Sequence, residues 1–172
     1  MLAARAHELE SSRYIAARQQ TRTAIVQAGF SLRQKMMLIQ PITPAQTYAL
    51  RHAVLWPEQP LDYVKLPDDD AGQHFGAFED GQLVSVISLF LASDGVARFR
   101  KFATAAAWQG RGIGSALLRH TIAVATAQGA HTLWCDARQN TLPFYERFGL
   151  RPEGEVFHKG PIPYVRLRRA LP

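Results

Sequence analysis

The stretch that decides the fold is Trp108–Gly129, WQGRGIGSALLRHTIAVATAQG. Glycines at 110, 112 and 114 precede a segment, 115–128, in which Leu118, Ile122 and Ala125 recur at helical spacing. Gly129 suits a left-handed residue closing that helix. A helix N-terminus carries unpaired amides and the positive end of the helix dipole, so a glycine-rich entry to it suits an anionic group. Two familiar phosphate loops do not fit. There is no lysine for a G-x-x-x-x-G-K-[ST] loop. The sixth residue from Gly110 is Ser115, where a dinucleotide fingerprint needs glycine.

Upstream, Val96–Thr104 (VARFRKFAT) reads as a strand whose alternation slips. Ala97 and Phe99 fall on one parity, whereas Phe102 and Thr104 fall on the other, which predicts a β-bulge between them. Before it, HFGAFE (74–79) and QLVSVISLF (82–90) form a hairpin across Asp80-Gly81, and Asp94-Gly95 is a second turn. Further back, MLIQPI (37–42) reads as the first strand. Thr43 then caps a helix through about Leu55, with Pro44 at its first position. Residues 56–73 read as a loop. Its acidic run Asp68-Asp69-Asp70 is expected to be solvated, although it could attract a cationic amine.

Downstream, HTLWCDA (131–137) is a strand joined to 96–104 through the helix, so the two should be parallel neighbours. Thr141 or Asn140 caps a short helix containing Pro143, Phe144 and Phe148, which Gly149 ends. GEVFHK (154–159) and YVRLRRA (164–170) are the final strands. The fold class is therefore α/β, with a mixed, mostly antiparallel sheet, a central parallel pair and flanking helices.

Composition sets bounds. The chain has 172 residues, 47% hydrophobic and 20% charged, enough for one domain with a substantial core. No apolar run reaches the roughly 20 residues of a membrane span. The single cysteine, Cys135, allows no internal disulfide, which makes the cytoplasm the expected compartment. The net charge of +6 is uneven: residues 1–36 hold six basic side chains against Glu8 and Glu10, giving +4 and leaving +2 for the rest. No nucleic-acid-binding signature accompanies it. Residues 1–36 read as a basic appendage, as a transit-like segment, or as an over-long translated start before Met36 or Met37. Residues 37–172 form the domain.

Gln109-Gly110-Arg111-Gly112-Ile113-Gly114 resembles the Q/R-x-x-G-x-G/A motif of the GNAT superfamily of acetyl-CoA-dependent N-acetyltransferases. ARQNTLPFYERFGL (137–150) is similar to that family's penultimate helix, and the order of elements from residue 37 agrees. The resemblance implies that acetyl-CoA is the co-substrate, its pyrophosphate lying on Gln109, Gly110, Arg111, Gly112, Ile113, Gly114 and Ser115. Its pantetheine would run along the backbone of Phe102, Ala103 and Thr104, with a contact from Asn140, in the room left where the parallel strands 96–104 and 131–136 splay beyond the bulge. Many relatives carry Asn where this chain has Arg138. Tyr145 stands where the family places its general acid, and a phenol can protonate a departing thiolate.

The base is not legible. Relatives often use a Glu on the bulged strand, but 96–104 has no carboxylate. Asp136 is best placed by topology, ahead of His74 and Glu58. Cys135 reads as a core residue, since the family transfers the acyl group directly. Where some relatives end in G-I-P-H, this chain has Tyr164. The expected partners are acetyl-CoA and an amine-bearing acceptor, framed by 43–55, 56–73 and 158–164. A homodimer is compatible with the sequence; no metal, nucleic acid or membrane partner is expected. The alternatives are a coenzyme-A-binding module of the same fold without catalysis, and a nucleotide-binding α/β domain.

Overall fold

A computed structural model describes residues 37–172; the basic segment 1–36 lies outside the described residues. Seven strands form one sheet in the order β1-β2-β3-β4-β5-β7-β6. The first four are β1 (Leu38–Ile42), β2 (Gln73–Glu79), β3 (Gln82–Leu91) and β4 (Val96–Thr104), followed by β5 (Thr132–Arg138), β6 (Arg151–Lys159) and β7 (Ile162–Ala170). The helices are α1 (Pro44–Leu55), α2 (Ile113–Ala127) and the short α3 (Leu142–Glu146). Every pairing is antiparallel except β4 with β5, as the helical crossover requires.

Local chemistry accounts for the turns. Asp80 and Gly81 both have positive φ (50° and 81°), the backbone of the tight hairpin turn that Asp-Gly favours. Thr43 and Gln46 form a reciprocal capping box at the start of α1. The slipped parity in β4 is a bulge. Val86 faces Ala103 and Ser88 faces Arg100, so β4 spends one residue more than β3 over that span. Lys101 takes up the extra residue with φ 51°, a left-handed backbone that a lysine seldom adopts.

Three expectations shift. α2 begins at Ile113 rather than Ser115, because Gly112 at φ 81° already supplies the cap. β6 and β7 start before Gly154 and Tyr164; Gly154, at φ 77°, lets β6 cross an irregularity between Glu153 and Phe157. The acidic run is also not a solvated one. Asp68 pairs with Arg100 at 2.9 Å, and Asp69 is 3% exposed and pairs with Arg51, which is wholly buried.

The sheet divides the molecule by alternation. Phe75, Ile87, Leu89, Ala97, Phe99, Leu133 and Cys135 join Leu117 and Leu118 of α2 in the core cluster. His74, Ser88, Arg98, Arg100, Trp134 and Asp136 take the intervening positions and face the side of α1. On that side Arg51 donates to both Asp69 oxygens at 2.8 Å and to Ser88 Oγ at 2.7 Å. Leu66 N–H also donates to Asp69, and His74 binds Ser88 Oγ and the Asp69 carbonyl. This network ties α1 and the 56–73 loop to β2 and β3.

Burial acts to raise the Asp69 carboxyl, but the hydrogen bonds from Arg51 and Leu66 and the Arg51 charge outweigh it and hold it below its usual range. Asp69→Asn leaves Arg51 buried without a counter-charge, so urea unfolding at neutral pH should show a loss of about 3–5 kcal/mol. A folded-state pKa below the unfolded value gives stability that is present above the unfolded value and lost as pH falls through the folded one. The gap between wild type and variant should therefore narrow below about pH 4. A loss under about 1 kcal/mol would show the pair to be dispensable.

Candidate functional site

β4 and β5 pair only at Val96–Thr132, Ala97–Leu133 and Arg98–Trp134. The parting thus begins at Phe99, two residues before Lys101 and earlier than the sequence indicated. From Phe99 onward the β4 edge facing β5 has no strand partner, leaving a groove of about 980 Å³. Its walls include Phe99–Thr104 of β4 and Cys135–Arg138 of β5. Loop residues Gln109, Gly110 and Gly112 also line it, with Gly114, Ser115 and Asn140.

The glycine loop closes one end. Gly110 (φ 74°) and Gly112 (φ 81°) are left-handed, and a Cβ on either would touch nothing within 4 Å. Glycine is needed there for its backbone. Gly114 differs: its Cβ would lie 3.1 Å from Thr104 Oγ1 and 3.2 Å from Phe102 Cζ, so here glycine lets α2 approach β4. The N-terminus of α2 has no side-chain cap and no acidic residue in its first turn. Its leading amides are therefore available to an anion.

Not every expected contact is a side-chain contact. Gln109 Nε2 donates to the Thr104 carbonyl at 2.9 Å, pinning loop to strand. Arg111 lies over the Trp108 ring at 4.8 Å and is exposed at the rim. Ile113 is 3% exposed and belongs to the core, so it can offer the groove only its backbone.

Tyr145 stands in the groove on the α2 side, among Phe99 (5.9 Å), Phe144 (5.0 Å) and Phe102 (6.4 Å). Burial, with smaller effects from Cys135 and Tyr164, pushes its phenol well above the usual range. The phenol therefore stays protonated across working pH. Cys135 is 2% exposed, and burial and the Asp136 charge push its thiol far up, as befits a core residue rather than a nucleophile.

The opposite side of the groove is cationic. Asp136 lines it as expected, but its carboxylate meets Arg98 (2.9 Å), Arg166 (3.3 Å) and Lys159 (3.5 Å). The three cations hold that carboxylate in place from β4, β6 and β7. His74 is committed to Ser88 and Asp69, and Glu58 is exposed outside the groove. Arg138 donates to the Leu55 carbonyl and to Tyr164 Oη. Trp56, Tyr63 and Lys65 reach the groove from the 56–73 loop, and Lys159 and Tyr164 from the β6–β7 end.

Sequence reasoning missed Lys101. It lines the groove at the bulge, with Nζ 5.9 Å from the Tyr63 ring. Burial, then Arg51 and Arg100, lower its pKa to about 8, with Asp69 opposing and Lys159 adding to the fall. The slip of parity in β4 was the signal that could have found it.

Residues 42–150 match the acetyltransferase (GNAT) family profile. A Bacillus subtilis protein described as an uncharacterized N-acetyltransferase, YitI, is 30% identical over 130 residues, covering 71% of this chain and 87% of its own length. An acyl-CoA N-acyltransferase from Pseudomonas aeruginosa superimposes with a TM-score of 0.65 at 22% identity, over 78% of this chain and all of that one. A GNAT family acetyltransferase from Elizabethkingia anophelis with acetyl-CoA bound gives 0.64 at 18%, covering 81% and 100%. At these identities the two structures speak for the fold.

Gly112→Ala should destabilise the protein by about 1–2 kcal/mol, since alanine must hold a left-handed backbone. If the loop is an anion site, millimolar inorganic pyrophosphate should raise the melting temperature of the wild type and raise that of the variant less. Equal shifts would place the anion elsewhere.

Proposed function

The chain belongs to the acetyltransferase (GNAT) family, and on that footing we propose that it transfers an acetyl group from acetyl-CoA to a primary amine by direct attack. One observation carries the reading: a single groove combines an amide-rich helix entry, an unpaired strand edge and a phenol. Gly110–Ser115 would hold the pyrophosphate, with the dipole of α2 behind it. The free edge of β4 would receive the pantetheine as an added strand. An amide among Phe102, Ala103 and Thr104 would then donate to the thioester oxygen as negative charge develops there.

Tyr145 takes the role of acid. Its hydroxyl has no hydrogen-bond partner among the described residues, and its ring lies among Phe99, Phe102 and Phe144. The low polarity that raises the phenol's pKa also disfavours a free thiolate, so proton transfer stays feasible. Cys135, buried and protonated, is poorly suited to carry an acyl intermediate, which supports direct attack.

The acceptor must lose a proton first, because an amine of pKa near 10.4 is neutral in only about one molecule in a few thousand at pH 7. Burial and the cations on the α1 side would lower that pKa, as burial and then Arg51 and Arg100 lower that of Lys101, so the proton can leave to water in the open groove. Asp136 then serves as a positioning residue that holds Arg98, Arg166 and Lys159.

Thiol release with acetyl-CoA and an amine panel tests this. Tyr145→Phe should lower kcat by about 10²-fold or more with little change in the KM for acetyl-CoA. Coenzyme binding without turnover on any amine would favour the non-catalytic module instead. Asp136→Asn should act mainly by raising the acceptor's KM; a collapse of kcat at unchanged KM would instead make Asp136 the base.

A further inference from the structure

The two sides of the groove differ in charge, and the coenzyme does not account for the difference. Phe99 and Cys135 share the core side of the sheet with α2, and the glycine loop and Tyr145 lie there as well. Arg98, Arg100, Asp136 and Arg138 occupy the opposite strand positions, towards α1. Phosphates on the α2 N-terminus are therefore on the wrong side of the sheet to neutralise these cations.

The cations on the α1 side are Lys65, Arg98, Arg100, Lys101, Arg138 and Lys159, and Asp136 is the one carboxylate among the groove-lining residues. Asp62 and Asp68 answer Lys65 and Arg100 from outside the groove. Asp136 is shared among Arg98, Lys159 and Arg166. Lys101 and Arg138 have no carboxylate partner within 4.0 Å among the described residues; they rest on rings, Lys101 on Tyr63 and Arg138 on Trp56. The Nε of Arg98 is buried without a hydrogen-bond partner. Like charges gathered in a half-buried groove repel one another. An anion placed among them removes that repulsion and meets unused donors.

We propose that the acceptor carries an anionic group, a carboxylate or a phosphate, beside the amine that is acetylated, and that Lys101, Arg138 and Lys159 receive it. The inference rests on the acetyl-transfer reading and narrows it to amino acids, amino-phosphates and related amines. Polyamines and other acceptors carrying only positive charge are disfavoured, because the groove would repel them. The aromatic rims from Trp56, Tyr63 and Tyr164 would cover the acceptor's carbon skeleton between the two polar ends.

The test uses the full chain, saturating acetyl-CoA and acceptors paired so that the members differ in the anion. Suitable pairs are 4-(aminomethyl)benzoate with benzylamine for a carboxylate, and phosphoethanolamine with ethanolamine for a phosphate. In at least one pair kcat/KM should favour the anionic member about tenfold or more, by a lower KM, and the pair that shows it identifies the anion. Lys101→Gln and Arg138→Gln should each shrink that ratio, and Lys101→Arg should retain more of it. Arg168→Gln, which removes an exposed pair with Glu153 outside the groove, should leave it intact. Equal or better use of the neutral members by an active enzyme overturns this inference and leaves acetyl transfer standing. An enzyme that binds acetyl-CoA but releases thiol with no amine of any charge overturns both.

Discussion

The structure depends on where β4 and β5 stop pairing. β5 keeps β7 along its whole length, from Thr132 opposite Ala170 to Arg138 opposite Tyr164. β4 keeps β3 to Thr104 by absorbing an extra residue at Lys101. Each strand satisfies its backbone with its outer neighbour, so the two can separate after three pairs at the cost of one unpaired edge on each. The sheet is thereby two half-sheets joined at a short seam, with Leu117, Leu118, Phe99 and Leu133 in one core cluster spanning it. An unpaired strand edge left exposed is an aggregation hazard; an edge that a bound substrate completes is a binding surface.

The same seam sorts charge. Because side chains alternate along each strand, parting the strands exposes two unlike surfaces at once. On the α2 side they are aromatic, with Tyr145 among Phe99, Phe102 and Phe144. On the α1 side they are cationic, with Arg98 and Arg166 lying over Trp134 and sharing Asp136. A thioester entering from one side and an amine from the other would meet at the bulge. In the proposed reaction, proton supply and proton loss would then be kept on separate faces of the sheet.

Much of this was legible in the chain because it is local. The glycines of 110–114, the Asp-Gly turns and the lost alternation in β4 each announce a backbone event within a few residues. The rest was hidden by distance. Arg51 finds Asp69 and Ser88, 18 and 37 residues away, so the acidic run read as a surface rather than an anchor. Topology pointed to Asp136, but its three cations come from β4, β6 and β7, whose registers only the folded sheet defines. Gly114 carried the right letter for a different reason, since it makes room for Thr104 and Phe102. Lys101 was passed over because the search at the bulge was for a carboxylate.

Amide hydrogen exchange with and without acetyl-CoA probes the central claim, that the open edge of β4 and the entry to α2 together form the coenzyme site. The account predicts slowed exchange concentrated in peptides covering Phe99–Thr104 and Gly110–Ser115, with β1 and the β6 edge unchanged. Coenzyme binding that leaves both segments exchanging at their free rates, or that protects only a distant one, would contradict it.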